Sequence, residues 1–536
     1  AEAFTADSHE AWKKYPGNMK DQSDWAFCAG INRLVYHTFA HKPYGDGLKP
    51  GVTMGPYGVH WDRGQTWWPM VPAYHQYVSR CSFLLSQGKA VADILYLAPE
   101  GAPHVFRAPL SAFEGTEVLP DKRGYAFDAC SPLLLRNAEV EDGRIVFPGG
   151  TSYRMLVLPD VETMTPELLA KIASLVKAGA TVVGNPPSKS PSLVNYPVCD
   201  EQVQKLATEL WGRKQIRTGR ASLETVKNQA GQMTTELYPP YDSTVVLLGR
   251  LGVHPDFTAS GSIRYIHRSL PDREVYFISN RTSQPVDDVC LFRDGTLNAE
   301  LWDAVTGGIR PLNELTQTET GIALHVKMDA SQSFFVVFYR SDRTDEVRKP
   351  DFPEKQLITT LEGPWTVVFD TQWGGPGEVV FDALIDWTAR LEEGIRFYSG
   401  IARYTKEFDI PETRGKQELF LDLGMVKNMA RVRLNGRDLG VVWTSPWQVN
   451  ITGAVKAKGN TLEIDVANLW ANRLIGDESL PDDGVKDRQW PGWLINGTPR
   501  PSNRYTFTTH HFYKKDDPLV ESGLLGPVRI LKETSN

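Results

Sequence analysis

The sequence predicts a multidomain protein of mixed class, α/β followed by β: the carboxyl-terminal part of a (β/α)8 barrel, an α/β accessory unit and two β-sandwiches. Three features carry this expectation. A strand, helix, strand order opens the chain, a second α/β repeat follows at 155–184, and beyond about residue 255 the texture changes to short alternating runs separated by turn residues. At 536 residues the chain is long enough for several separate cores.

The elements follow in order. Residues 32–37 form a short apolar run with strand character. Tyr74, Tyr77, Val78, Cys81, Leu84 and Leu85 recur at helical spacing, and Gly88 supplies a left-handed stop. The helix feeds an apolar run at 91–97, of the kind buried on both faces of a parallel sheet, which breaks at Pro99-Glu100-Gly101. Residues 1–115 therefore read as late barrel repeats, whose first strands would precede Ala1. In the expected accessory domain, 116–250, a strand at 155–159 leads to Thr165 as helix cap and Pro166 at the first helical position. Leu168, Leu169, Ile172, Leu175 and Val176 give one helical face, Gly179 ends it, and 180–184 is the next strand of a right-handed crossover. Pro159-Asp160-Val161-Glu162 stands where a dinucleotide fold needs glycines, which excludes that reading.

The first sandwich is expected over 251–345, with strands at 274–279 and 333–339. A linker rich in Asp, Arg, Lys and Pro covers 343–355, and the second sandwich, 355–536, has strands at 418–423 and 461–466. Asn435-Gly436 between two alternating runs predicts a type I′ hairpin.

Composition narrows the function. With 58 Lys and Arg against 65 Asp and Glu, the net charge of −7 gives no footprint for nucleic acid or an anionic membrane, and no apolar run reaches membrane-spanning length. Cys28, Cys81, Cys130, Cys199 and Cys290 never form a CxxC pair, which leaves zinc knuckles and a disulfide framework without support. The chain opens on Ala1 without an initiator Met or an apolar leader, so it is expected to be a piece of something longer that carried any signal peptide. Sequons at Asn280, Asn450 and Asn496 are no more than chance supplies.

Trp12, Trp25, Trp61, Trp67 and Trp68 crowd the start of the chain together with His9, His37, His41, His60 and Glu2. Aromatic faces match the C–H patches of a sugar ring, while carboxylates, His and Arg match its hydroxyls. Glu100 ends its strand and Glu2 stands where another would end, the positions at which a β/α barrel carries its chemistry. Glycoside hydrolysis needs such a pair, one to protonate the leaving oxygen and one to attack or to activate water. His37 and His41 are four apart but follow a strand and lack an HExxH, so they are expected to contact hydroxyls. Arg63, Trp67, Trp68 and Asp128 complete the candidate substrate-binding set. Neither a Gly-x-Ser-x-Gly elbow nor a Walker A loop occurs.

The segments Ala1-Glu2-Ala3-Phe4-Thr5, 27–43, Thr66-Trp67-Trp68, 77–80 and 92–96 resemble the glycoside hydrolase family 106 α-L-rhamnosidases. The stretch 153–159 is similar to that family's accessory domain. The segment from Gly363-Pro364-Trp365 to 522–528 resembles the jelly-roll, galactose-binding-like domain shared with family 2 glycosidases. The resemblance implies removal of a terminal α-L-rhamnosyl residue with inversion by two carboxylates about 6.5–9.5 Å apart, with Glu2 matched to one; Glu100 is its expected partner by strand position, Glu2 read as acid and Glu100 as base with the reverse order open. It also implies a rhamnose-containing oligosaccharide or glycoside as partner, a secreted or periplasmic location, and calcium as a possible ion with no ligand set named. Family members carry several hundred residues ahead of the Ala-Glu-Ala-Phe-Thr motif. A family 2-like β-glycosidase and a non-catalytic carbohydrate-binding fragment stay open as alternatives.

Overall fold

Parallel pairing organises the first unit. In the computed structural model, which describes residues 1–45, 47–101, 106–115, 119–212, 237–340, 350–411 and 417–534 and two short strands between 225 and 235, strand β1 (Glu2–Ala3) lies beside β2 (Val35–Tyr36), Glu2 opposite Val35. The strand expected at 32–37 is confined to those two residues. Helix α1 (Pro16–Cys28) starts on proline and buries Met19, Phe27 and Cys28. Strand β3 (Pro50–Gly51) follows. Helix α2 (Pro72–Leu85) turns Tyr74, Tyr77, Val78, Cys81 and Leu85 inward, the face its spacing predicts, and Gly88 follows it at φ 57°.

Both helices pack on the first sandwich through buried polar groups that satisfy one another. Lys20 Nζ donates to Asp24 Oδ2 at 2.8 Å and to Ser333 Oγ at 2.6 Å, while Ser279 and Tyr77 donate to Asp24. A buried pair persists only when its remaining bonds are met in this way.

One expectation is corrected in the second unit. The run at 91–97, expected in the barrel portion, forms strand β4 (Ile94–Leu97), which pairs in parallel with β5 (Phe127–Cys130) on one side and β6 (Met155–Val157) on the other. It is a central strand of the accessory sheet, so that sheet begins ahead of position 115. The expected crossover is present: β6, helix α3 (Pro166–Lys177) and β7 (Thr181–Val183), with β6 and β7 adjacent and parallel. Thr165 caps α3 by accepting from Leu168 N at 3.3 Å, and Leu168, Leu169, Ile172 and Leu175 fill the core.

Two sandwiches complete the chain. Each sets a four-stranded antiparallel sheet against a six-stranded one. In the first, Arg273–Asn280 lies between Ile263–Ser269 and Ser333–Tyr339, and Lys89–Ala90 extends the edge. Most of the expected linker, 341–349, lies outside the described residues. In the second, Ile401–Phe408 and Met429–Leu434 flank Asn460–Ala467. Its hairpin turns at Asn435 and Gly436 with φ of 53° and 77°, the left-handed pair a type I′ turn requires.

The last unit reaches back to the first. Pro50–Gly51 pairs with Phe507–Thr508, Trp470 Nε1 donates to the Gly64 carbonyl at 2.6 Å, and the Trp443 ring sits 5.2 Å from Tyr74 and 5.5 Å from Tyr77. Among the described residues all five cysteines are buried and unbridged, and no helix is long and apolar enough to cross a membrane.

Candidate active site

The site is built on the β1–β2 pair. Glu2 is exposed at the start of β1, and its Oε1 accepts from Thr5 Oγ1 at 2.6 Å. Ala3 at the end of β1 accepts from the backbone N–H of His37, which places His37 just beyond β2 on the same pair. Beneath the strands lies an aromatic floor. Tyr36 stacks on Trp61 at 4.3 Å, Phe4 lies 5.5 Å from Tyr36, and burial pushes the Tyr36 phenol up to about 12.

Behind the floor sits a group of buried polar side chains. Lys42 and Asp62 form an ion pair at 3.4 Å, and Lys42 also donates to the carbonyls of Pro50 and Val52. Burial raises the Asp62 carboxyl and lowers the Lys42 ammonium, and their mutual attraction only partly offsets it. His60, 1% exposed and at φ 58°, packs its ring 4.6 Å from Trp12 and 6.3 Å from Phe512 of the last unit. Burial, with Lys42, His510 and His37 adding repulsion, lowers its pKa to about 4, so it is neutral near pH 7.

Several of these groups have no hydrogen-bond partner among the described residues: both ring nitrogens of His60, Nδ1 of His37, Nε2 of His75, and the indole N–H of Trp12, Trp61 and Trp67. Each such group costs about 1–3 kcal/mol, and natural cores hold few of them. Most of them lie between Trp12 and His75, where they leave donors and acceptors for water or a ligand.

The expected residues divide. Glu2 and His37 come together around one strand pair. His41 and Arg63 are exposed nearby, Arg63 donating to the Lys42 carbonyl at 3.2 Å. Trp67 is corrected: its ring is 0% exposed and packs edge-on against Trp61 at 5.5 Å, so it has no face to offer a sugar. Trp68 is half-buried beside it. Asp128 lies on β5 in the accessory sheet, where Tyr153 donates to it at 2.9 Å and Lys122 stands 4.0 Å away.

Glu100 is corrected as well. Its two oxygens accept from the backbone N–H and the hydroxyl of Thr165, both at 2.7 Å, so its carboxylate fastens the entry of α3 in the accessory unit. A carboxylate so engaged is a poor base, and these bonds tie Glu100 to the accessory unit, while Glu2 sits on the β1–β2 pair. His60 belongs to the aromatic-rich start of the chain, where no local spacing assigns it a role, and Phe512 approaches it from hundreds of residues away, beyond the reach of any local signal.

Asp256, His267 and Asp294 are the one group among the described residues that could hold a metal ion. They do not fit calcium. His267 bonds Asp256 at 3.0 Å through Nδ1 and Glu274 at 3.0 Å through Nε2, and Arg293 stands 3.4 Å from Asp256. Burial opposes charge on His267, but the two carboxylates outweigh it and lift its pKa to about 9. The cation is already supplied by the protein.

Comparison with known proteins gives the family. Residues 1–316 match the family model of glycoside hydrolase family 106, described as α-L-rhamnosidase. The chain belongs to glycoside hydrolase family 106. Residues 396–499 also match a galactose-binding domain-like model of family 2 glycosyl hydrolases. The solved rhamnosidase from Novosphingobium sp. PP1Y superposes with a TM-score of 0.79 at 30% identity, covering 97% of this chain and 46% of that one. A curated protein of Formosa agariphila, provisionally named a β-glucuronidase, is 26% identical over 99% of this chain and 62% of its own length. This family 106 chain thus spans between about half and two thirds of the proteins it matches.

Proposed function

We propose that the protein takes part in the hydrolysis of terminal α-L-rhamnosyl residues from glycans or glycosides, with inversion at the anomeric carbon. The observation that carries this reading is the superposition on a rhamnosidase over 97% of the chain at 30% identity. Glu2 is one of the two carboxylates; exposed and, among the described residues, held by Thr5 alone, it can give a proton to the leaving oxygen. In an inverting reaction its counterpart activates water from the opposite face of the ring. Glu100 is engaged by Thr165, so we assign the role to a carboxylate in the portion of the longer relatives that this chain does not span. His37 and His41 contact the sugar hydroxyls, and Tyr36 and Trp61 back the pocket. In this reading β1 and β2 are late strands of a (β/α)8 barrel and the last sandwich is a jelly roll. We place the reaction outside the cytoplasm, where rhamnose-containing polymers are met.

The test is hydrolysis of 4-nitrophenyl α-L-rhamnoside and 4-nitrophenyl β-D-glucuronide by this chain and by a version extended upstream. Rhamnoside cleavage by the extended protein, lost in Glu2→Gln, with the β anomer of rhamnose released first by NMR, supports the reading. Cleavage of the glucuronide alone, or release of the α anomer first, overturns it.

A further inference from the structure

We propose that Asn496 is a site of spontaneous covalent modification. In the folded protein its side-chain amide is lost through a cyclic imide formed with Gly497, leaving aspartate and isoaspartate, while the other Asn-Gly pair of the chain, Asn435-Gly436, stays intact over the same period.

An Asn-Gly pair carries its own reactants. The glycine main-chain nitrogen, on losing its proton to solvent base, attacks the asparagine Cγ; a new C–N bond closes a five-membered imide, and the side-chain nitrogen leaves as ammonia. Water then opens either imide carbonyl, giving aspartate or an isoaspartate whose main chain is one methylene longer. Glycine favours the attack because it has no Cβ to crowd the nitrogen and its backbone turns most freely. Two such pairs in one protein are therefore distinguished by whether the fold leaves the side-chain amide and the following nitrogen free to meet.

At Asn435 the fold locks them. Its Nδ2 donates to the Ala454 carbonyl at 2.8 Å and to Asn460 Oδ1 at 2.9 Å, its Oδ1 accepts from Thr461 N at 3.0 Å, and its own N–H donates to the Thr461 carbonyl at 2.8 Å. The strands that enter and leave this turn are paired right up to it, Leu434 opposite Arg437. At Asn496 the reacting groups are free. Asn496 and Gly497 are exposed on the turn that follows the helical segment Gly492–Ile495. Neither the Asn496 side chain nor the Gly497 N–H has a hydrogen bond among the described residues. No atom lies within 4 Å of where a Cβ on Gly497 would stand, so the main chain at this turn can rotate towards attack.

Each conversion adds one negative charge, and the isoaspartyl form lengthens a turn that is closed by the N–H of Thr498 donating to the Trp493 carbonyl at 2.9 Å. Trp493 packs edge-on against Phe507 at 6.0 Å, so the altered turn lies behind the strand that joins the last unit to Pro50.

The test is peptide mapping by mass spectrometry of this chain aged in mildly alkaline buffer, once folded and once in concentrated urea. The folded chain is expected to gain one mass unit at Asn496, as mixed aspartate and isoaspartate, and none at Asn435; in urea, where the hairpin bonds are gone, both positions convert. Asn496→Gln should abolish the folded-state gain without moving Tm, because the side chain is exposed. Conversion of folded Asn435 as fast as that of Asn496 overturns the proposal. So does a folded Asn496 that survives as well as Asn435 over a time in which the unfolded chain converts.

Discussion

His267 and His60 are both about 1% exposed, yet they titrate in opposite directions, to about 9 and about 4. Around His267 every ring nitrogen meets a carboxylate, and Arg293 extends the network to Asp93 of the accessory sheet at 2.9 Å. Around His60 the ring packs on Trp12 and Phe512 and neither nitrogen is paired among the described residues. The first arrangement closes polar capacity to hold two units together; the second keeps it open. Burial alone thus says little about role, and the state of the hydrogen bonds separates joint from site.

Four measurements sharpen or break that contrast. The largest effect is expected at Glu2: Glu2→Gln should lower kcat of the extended protein by about 10³-fold while leaving stability within about 0.5 kcal/mol, since the side chain is exposed. At the closed network, Asp256→Ala leaves His267 and Arg293 short of a partner and should cost about 3–5 kcal/mol in urea denaturation. Glu100→Ala removes both bonds to Thr165 and should cost about 1–2 kcal/mol without lowering activity beyond that; a loss like that of Glu2→Gln would restore the original pair.

The smallest effect is at His60, where His60→Phe removes unpaired polar atoms and should change stability by less than about 1 kcal/mol. Its signature is in the pH profile of Tm. The pKa of His60 is lowered on folding, so its contribution is complete above about 6.5 and lost as pH falls towards 4. For His267 it is raised, so the contribution is complete below about 6.5 and lost as pH rises through 9. His60→Phe should therefore flatten the acid limb, and His267→Gln the alkaline limb; the reverse pattern would dissolve the contrast.

Local signals in the sequence were readable where local chemistry decides the structure. The faces of α2 and α3, the Thr165 cap and the Asn435-Gly436 turn follow from spacing and backbone preference within a few residues. The strand at 94–97 was recognisable as buried on both faces, but such a run looks the same in a barrel and in an open sheet. Its neighbours, 127–130 and 155–157, decide which, and they lie far along the chain. Glu100 shared that ambiguity, because the partner that fixes its role is Thr165. Trp67 illustrates another limit: residue type reveals affinity for apolar surroundings, not whether those surroundings are a core or a sugar. Glu2 and His37 fall on one strand pair, a placement within reach of a compact local motif.

The pairing of Pro50–Gly51 with Phe507–Thr508 has a consequence for biosynthesis. A ribosome finishes Pro50–Gly51 long before it delivers the strand that pairs with them, so that edge of the first unit stays unpaired through most of translation. Nonsense mutations that spare every residue of the first unit would still leave that strand without its partner.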